Sequence, residues 1–226
     1  MESPRCVLIN AAWQKWYPLG TDRLVRSLHY HGWNYEIWTW KNENINEYFD
    51  PRFPYTIKAA AFAEAVREGF DRIMWLDCSA WAVKDPNPVM KEIIHNGSYF
   101  LSSGYNLAQT ASDADLYHAE MSRDRAERLP ELWSCIFGVD MRTDQGKIFA
   151  REFLAACDAG VFNTPREHSG LSEDPRFLHA RQDQTAATIA YYKAGYTKMH
   201  APGEHICYYA DAGKHKDNAC YLMRGM

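Results

Sequence analysis

The stretch Arg72-Ile-Met-Trp-Leu-Asp77-Cys78-Ser79-Ala-Trp81 decides how this chain is read. Ile73, Met74, Trp75 and Leu76 form an unbroken apolar run, the pattern of a short strand covered on both faces in a largely parallel sheet. The run stops at one carboxylate followed by two small polar residues. Open α/β sheets bind ligands beyond the carboxyl ends of their strands, so Asp77 stands where a cleft is expected. An acid here also suits a turn or a cap, and the surrounding chain has to separate the two.

Upstream, Arg5–Asn10 reads as a first buried strand and Ala11–Leu19 as a loop carrying Trp13, Trp16 and Tyr17. Gly20-Thr21-Asp22 then opens a helix whose Leu24, Val25 and Leu28 recur at helical spacing until Gly32. Tyr35–Trp40 alternates at period two and gives a second strand, completing a βαβ unit. Lys41–Pro54 is a long polar loop. A helix from Thr56 to Glu68, closed by Gly69, leads into the quoted strand.

Downstream, Asp85–Pro88 makes a turn, Val89–His95 a short helix and Tyr99–Leu101 a strand. The charged segment Asp113–Glu131 reads as a solvated helix face. Leu132–Met141 is apolar enough for a strand, Ile148–Ala159 for a helix, and Thr164–Arg176 has loop composition. A late helix opens at Arg181-Gln-Asp-Gln-Thr185 and runs to Gly195, which puts polar groups in a first turn where the helix dipole favours negative charge. Ile206–Tyr209 is a last strand.

With 226 residues, the chain fits a single α/β domain spanning residues 1–226. A net charge of −4 opposes a protein that holds nucleic acid mainly by neutralising phosphates. Its 8 Trp and 14 Tyr suit flat ligands such as sugars and bases, and equally an aromatic core. The 6 cysteines contain no C-x-x-C pair, so reduced thiols and a cytoplasmic location are expected. No run approaches the roughly 18–20 apolar residues of a membrane span, and no leader pattern opens the chain. Phosphate-loop, dinucleotide-fingerprint, zinc-protease and nucleophile-elbow motifs are all missing.

What the sequence does contain is an ordered arrangement. An N-terminal βαβ unit, Pro54-Tyr55-x-x-Lys58 before a helix, Trp75-Leu-Asp77-Cys-Ser79 at a strand end and Arg181-Gln-Asp-Gln-Thr185 opening a late helix follow one another. This order resembles the GT-A glycosyltransferases, which transfer a sugar from a nucleotide-sugar, and the similarity runs from about residue 4 to 210. The resemblance implies a Rossmann-like central mixed sheet flanked by helices. It also places a D-x-D-like motif at Asp77-Cys-Ser79, with Ser79 at the second acidic position.

Diphosphate departure needs positive charge, supplied by Mg²⁺ or Mn²⁺ or by fixed Lys and Arg. Hard cations prefer oxygen ligands. The resemblance implies a cation held by Asp77 and Ser79 with His205 or His215, although a serine brings no negative charge. Without a metal, Lys58 and Arg23 are the diphosphate partners. The resemblance further implies donor binding by Ala11, Ala12, Trp13, Arg23, Lys58, Asp77 and Ser79. Asp183 and Gln184 are the catalytic candidates. Asp183 would take the acceptor hydroxyl's proton in an inverting transfer, or Asp183 or Gln184 would stabilise the donor sugar's charge in a retaining one.

A UDP- or GDP-sugar is the expected donor and a glycan or glycoprotein the expected acceptor. DNA remains an alternative, with Arg123, Arg125 and Arg128 as the basic residues to meet it. The competing readings are a nucleotidyltransferase, disfavoured because Asn10–Leu19 lacks glycine, and a nucleotide-sugar-binding module that has lost its chemistry.

Overall fold

The computed structural model describes residues 3–165, 170–201, 203–215 and 219–224, with His215 described by its backbone alone. Its main sheet has five strands in the order β2-β1-β3-β6-β5, where β1 is Cys6–Ala12, β2 Glu36–Lys41, β3 Arg72–Leu76, β5 Ser98–Asn106 and β6 Pro130–Asp140. β1 pairs parallel with both β2 and β3, while β6 runs antiparallel between β3 and β5. This is a central mixed sheet, and helices flank it.

Every residue of β1 and β3 is buried, which matches their unbroken apolar runs. On one face α2 (Thr56–Arg67), α7 (Asp144–Asp158) and α8 (Gln182–Lys193) enclose a core containing Phe62, Phe137, Phe149 and Phe153. Burying each such ring contributes about 1.5–3 kcal/mol. On the other face α1 (Tyr17–Tyr30) and α3 (Pro88–Asn96) cover Leu8, Met74, Leu76 and Ile136. Gly138 on β6 faces α3, where an added Cβ would lie 2.1 Å from Ile93 Cδ1.

Several elements depart from the sequence expectation. β1 continues through Ala11 and Ala12, so both side chains are packed in the sheet rather than carried on a loop. α1 starts at Tyr17, not Gly20, because Pro18 in its first turn is already set to helical φ. β5 extends to Asn106 and takes in Ser102–Tyr105. The charged segment breaks into two short helices, α5 (Asp113–His118) and α6 (Arg123–Ala126), and an unexpected α4 (Leu107–Thr110) precedes it; Asn106, Ser112 and Ser122 cap α4, α5 and α6.

A second sheet, β4-β8-β7, joins Ala80–Ala82 to Tyr221–Met223 and Ile206–Tyr208. Of these strands only β7 was expected. β4 and β8 are three residues long, too short for a periodic signal, and they pair across the whole second half of the chain.

Three contacts seat α1 against the end of β3. Asn10 Nδ2 donates to the Leu76 carbonyl at 2.6 Å, and Thr21 Oγ1 donates to Asn10 Oδ1 at 2.6 Å. Gly20 completes the fit, since a Cβ there would sit 2.3 Å from the Cys78 carbonyl oxygen. Gly20→Ala therefore has to displace backbone, and we expect a loss of about 1–3 kcal/mol, seen as a Tm drop of roughly 2–10 °C. Gly213→Ala, with nothing within 4 Å of the new Cβ, is the control that keeps its Tm. Equal melting of the two variants would refute this account of the turn.

Candidate functional site

The carboxyl ends of β1 and β3, the amino-terminal half of β6 and the first turn of α8 meet at one edge of the main sheet. Asp77 follows β3 directly, its N–H donating to the Cys135 carbonyl at 2.9 Å. Lys58 comes from the first turn of α2 and Asp183 from the first turn of α8. The three side chains converge. Lys58 Nζ lies 2.5 Å from Asp183 Oδ2 and 3.2 Å from Asp77 Oδ1. It also donates to the Ser134 carbonyl at 2.7 Å, and sits 4.8 Å from the centre of the Trp75 ring.

Exposure differs among them. The Lys58 side chain is 5% exposed and that of Asp183 10%, whereas that of Asp77 is 31% exposed. Ser134 Oγ donates to the same Asp183 oxygen at 2.8 Å, and Trp75 Nε1 donates to Asp77 Oδ1 at 2.7 Å. Burial works against the Lys58 ammonium, but attraction to Asp183 and Asp77 outweighs it and raises the lysine pKa. For Asp77, burial is the largest influence and raises the pKa, with repulsion from Asp183 adding to it. Lys58 and the Trp75 N–H act in the opposite direction.

Arg23 and Ser79 lie beside this cluster. Arg23 donates to the Ser79 carbonyl at 2.8 Å and stacks over Trp81 at 4.2 Å, while its buried Nε has no hydrogen-bond partner. Arg224, next to β8, brings its backbone N–H to the same carbonyl at 3.3 Å. Burial pushes the Cys78 thiol up to about 12, which favours its protonated form. Trp13 packs edge-on against Phe49 at 4.9 Å, and Trp16 lies exposed beside Tyr17 at 4.6 Å.

Gln184 is turned to a different partner. Its Nε2 donates at 2.6 Å to Glu131 Oε2, which also accepts from Ser103 Oγ at 2.9 Å. Glu131 is fully buried, its Oε1 has no hydrogen-bond partner, and burial raises its pKa to about 7. Sequence reasoning missed Glu131, Ser134 and Arg224. Ser134 carried a faint signal as a polar residue within an apolar strand. Glu131 had only its place at the head of that strand.

Some of the groups expected to hold a divalent cation are engaged by other partners. Asp77 Oδ1 receives an N–H from Trp75 and the Lys58 ammonium, while Arg23 takes the Ser79 carbonyl rather than the hydroxyl that was the expected ligand. His205 is grouped with His200 and Glu204 rather than with Asp77. The side chain of His215 lies outside the described residues. Arg123 also departs from expectation as a nucleic-acid contact: it is buried, donating to the Ala108 and Ala111 carbonyls at 2.7 Å and pairing with Asp113. Its charge is spent holding α4, α5 and α6 together.

No family model matches the chain, and no curated protein sequence does. A solved structure does match, described as a glycosyltransferase involved in the glycosylation of the major capsid of PBCV-1. It covers 97% of this chain and 92% of its own at 13% identity, with a TM-score of 0.51. The fold is therefore shared with a glycosyltransferase. Among the described residues, no helix is long and apolar enough to cross a membrane.

Glu131 makes a pH prediction. An acid whose folded pKa is raised binds more protons folded than unfolded, so its contribution to stability falls as pH rises from the ordinary value of about 4.5 through about 7. Across that window Glu131→Gln should gain on the wild type by on the order of 2–4 kcal/mol, measured by urea unfolding at pH 4.5 and 7.5. A constant difference between the two proteins would show that Glu131 titrates normally.

Proposed function

We propose that this chain is a glycosyltransferase that moves a sugar from a nucleotide-sugar, a UDP- or GDP-sugar, to a hydroxyl of a glycan or glycoprotein. The observation that carries the reading is the meeting of Asp77 and Asp183 around Lys58, at the sheet edge where open α/β folds bind ligands. The shared fold supports it.

In this reading the half-exposed Asp77 holds the donor by its ribose or sugar. Asp183 faces the reacting bond. Both of its buried hydrogen bonds fall on Oδ2, which leaves Oδ1 to meet the acceptor hydroxyl or the charge that develops on the donor sugar. If the transfer inverts, Asp183 takes the hydroxyl proton while the bond to the diphosphate breaks. Lys58 and Ser134 fix its orientation. Glu131 holds the Gln184 amide in one direction.

The leaving diphosphate needs countercharge, and we assign it to Arg23 and Arg224, which flank Ser79, together with Lys58. Arginine's planar fork suits paired phosphate oxygens. Trp16 offers an exposed aromatic face at the same end of β1 for the base.

The test is release of free nucleotide from a panel of UDP- and GDP-sugars, with and without added Mn²⁺ or Mg²⁺. Wild type should hydrolyse at least one donor slowly without added ion, and either ion should change the rate by no more than about twofold. Asp77→Asn and Asp183→Asn should each lower turnover by roughly 100-fold or more, with Asp183→Asn also losing stability because Lys58 is left short of charge. Strong dependence on Mn²⁺ would remove the arginine assignment alone. Turnover near normal in both variants would remove the site, and donor binding without any turnover would favour a module that has lost its chemistry.

A further inference from the structure

A second group of metal-ligating side chains lies away from Lys58, against edge strand β5. A ring nitrogen of His200, one of His205 and a carboxylate oxygen of Glu204 all fall within 4.8 Å of one another. Backbone pairing fixes the two histidines to different sheets. His200 donates to the Phe100 carbonyl at 2.7 Å and accepts from the Ser102 N–H at 3.0 Å, both on β5. The His205 carbonyl accepts the N–H groups of Cys220 and Tyr221, each at 2.8 Å, at the head of β7 and β8. His205 takes a left-handed φ of 65°, a strained state for a residue with a side chain, and strain of this kind concentrates at functional sites.

Hydrogen bonding sets the tautomers. The Tyr99 hydroxyl has one proton, which it donates to the Glu204 carbonyl at 2.9 Å. In its 3.3 Å contact with His205 Nδ1 the imidazole is therefore the donor. His200 Nδ1 faces Glu204 Oε1 at 2.7 Å, and a carboxylate oxygen only accepts. His205 thus carries its proton on Nδ1 and presents a bare Nε2 lone pair, the state found in histidine ligands steadied by an outer hydrogen bond, whereas the His200 Nδ1–Glu204 Oε1 bond joins two of the three ligands and gives way when an ion takes them. Tyr99 stacks on His200 at 4.5 Å and holds that ring in place.

We propose that His200, His205 and Glu204 bind one transition-metal dication, zinc by donor type, which pins the β4-β8-β7 sheet to edge strand β5. Two imidazoles and a carboxylate suit Zn²⁺ or Co²⁺, whereas Mg²⁺ and Ca²⁺ prefer oxygen alone. Ligand distances of about 2.0–2.2 Å require the three side chains to rearrange around the ion, with water in the fourth position. Glu204 has room to move, its side chain being 42% exposed. The ion would not touch the reaction. It would brace the sheet whose strand β4 begins directly after Ser79, and the proposal stands whether or not the chain transfers sugar.

The experiment uses chelator-stripped full-length protein, titrated with Co²⁺ and followed by the visible bands of four-coordinate cobalt, then with Zn²⁺ by calorimetry. We expect one ion per chain and a Tm rise of roughly 5–10 °C when zinc exceeds its Kd about 100-fold. Glu204→Ala and His205→Ala should each weaken zinc by roughly 10-fold or more. His95→Ala, at an exposed histidine, and Asp77→Asn should leave it unchanged. Should either histidine variant fail to fold, the wild-type stoichiometry and Glu204→Ala still decide the matter. A wild type that takes up no zinc, or zinc binding that survives in Glu204→Ala and vanishes in Asp77→Asn, would overturn the proposal.

Discussion

One ammonium group, buried between two carboxylates, governs the geometry of the candidate site. Lys58, Asp77 and Asp183 come from α2, the end of β3 and α8, and each is bound to its own element before it meets the others. Removing charges from water is costly, and a lone buried ion would be worse than a pair. The arrangement therefore holds only when all three elements are in place, so folding and assembly of the site are the same event. Such a cluster is weak as a source of stability and strong as a means of fixing position.

The cluster depends on how closely α1 and the second sheet press on the Asp77–Ser79 turn. Gly20 and Asn10 allow α1 to approach from one side, while β4 and β8 carry Trp81 and Arg224 to the other. Arg23 and Arg224 both reach the Ser79 carbonyl as a result. The Arg23 guanidinium and the Arg224 backbone N–H thus converge on the residue two positions beyond Asp77.

Glu131 shows the same logic in reverse. Its burial outweighs the attraction of Arg181 and the hydrogen bonds it accepts, so its carboxyl is driven toward the neutral form while it accepts the Gln184 amide. Two acids a few residues from the same sheet edge thus behave differently because of what burial places next to them.

The sequence by itself determined the strands that are buried on both faces, the helices that end at a glycine, and the position of Asp77 at a strand end. These signals are local: unbroken apolar runs, a glycine after a helix, a proline in a first turn. It also marked Lys58, Asp183 and Arg23 through a resemblance in their order, without showing that Lys58 bridges the two acids. Tertiary structure alone decided that contact, the inward turn of Arg123, the commitment of Gln184 to Glu131, and the separation of His205 from Asp77. The strands β4 and β8 were equally hidden. All of these rest on pairings across tens to more than a hundred residues, where a side chain's role is set by which charge or carbonyl the fold brings beside it, and no local pattern records that.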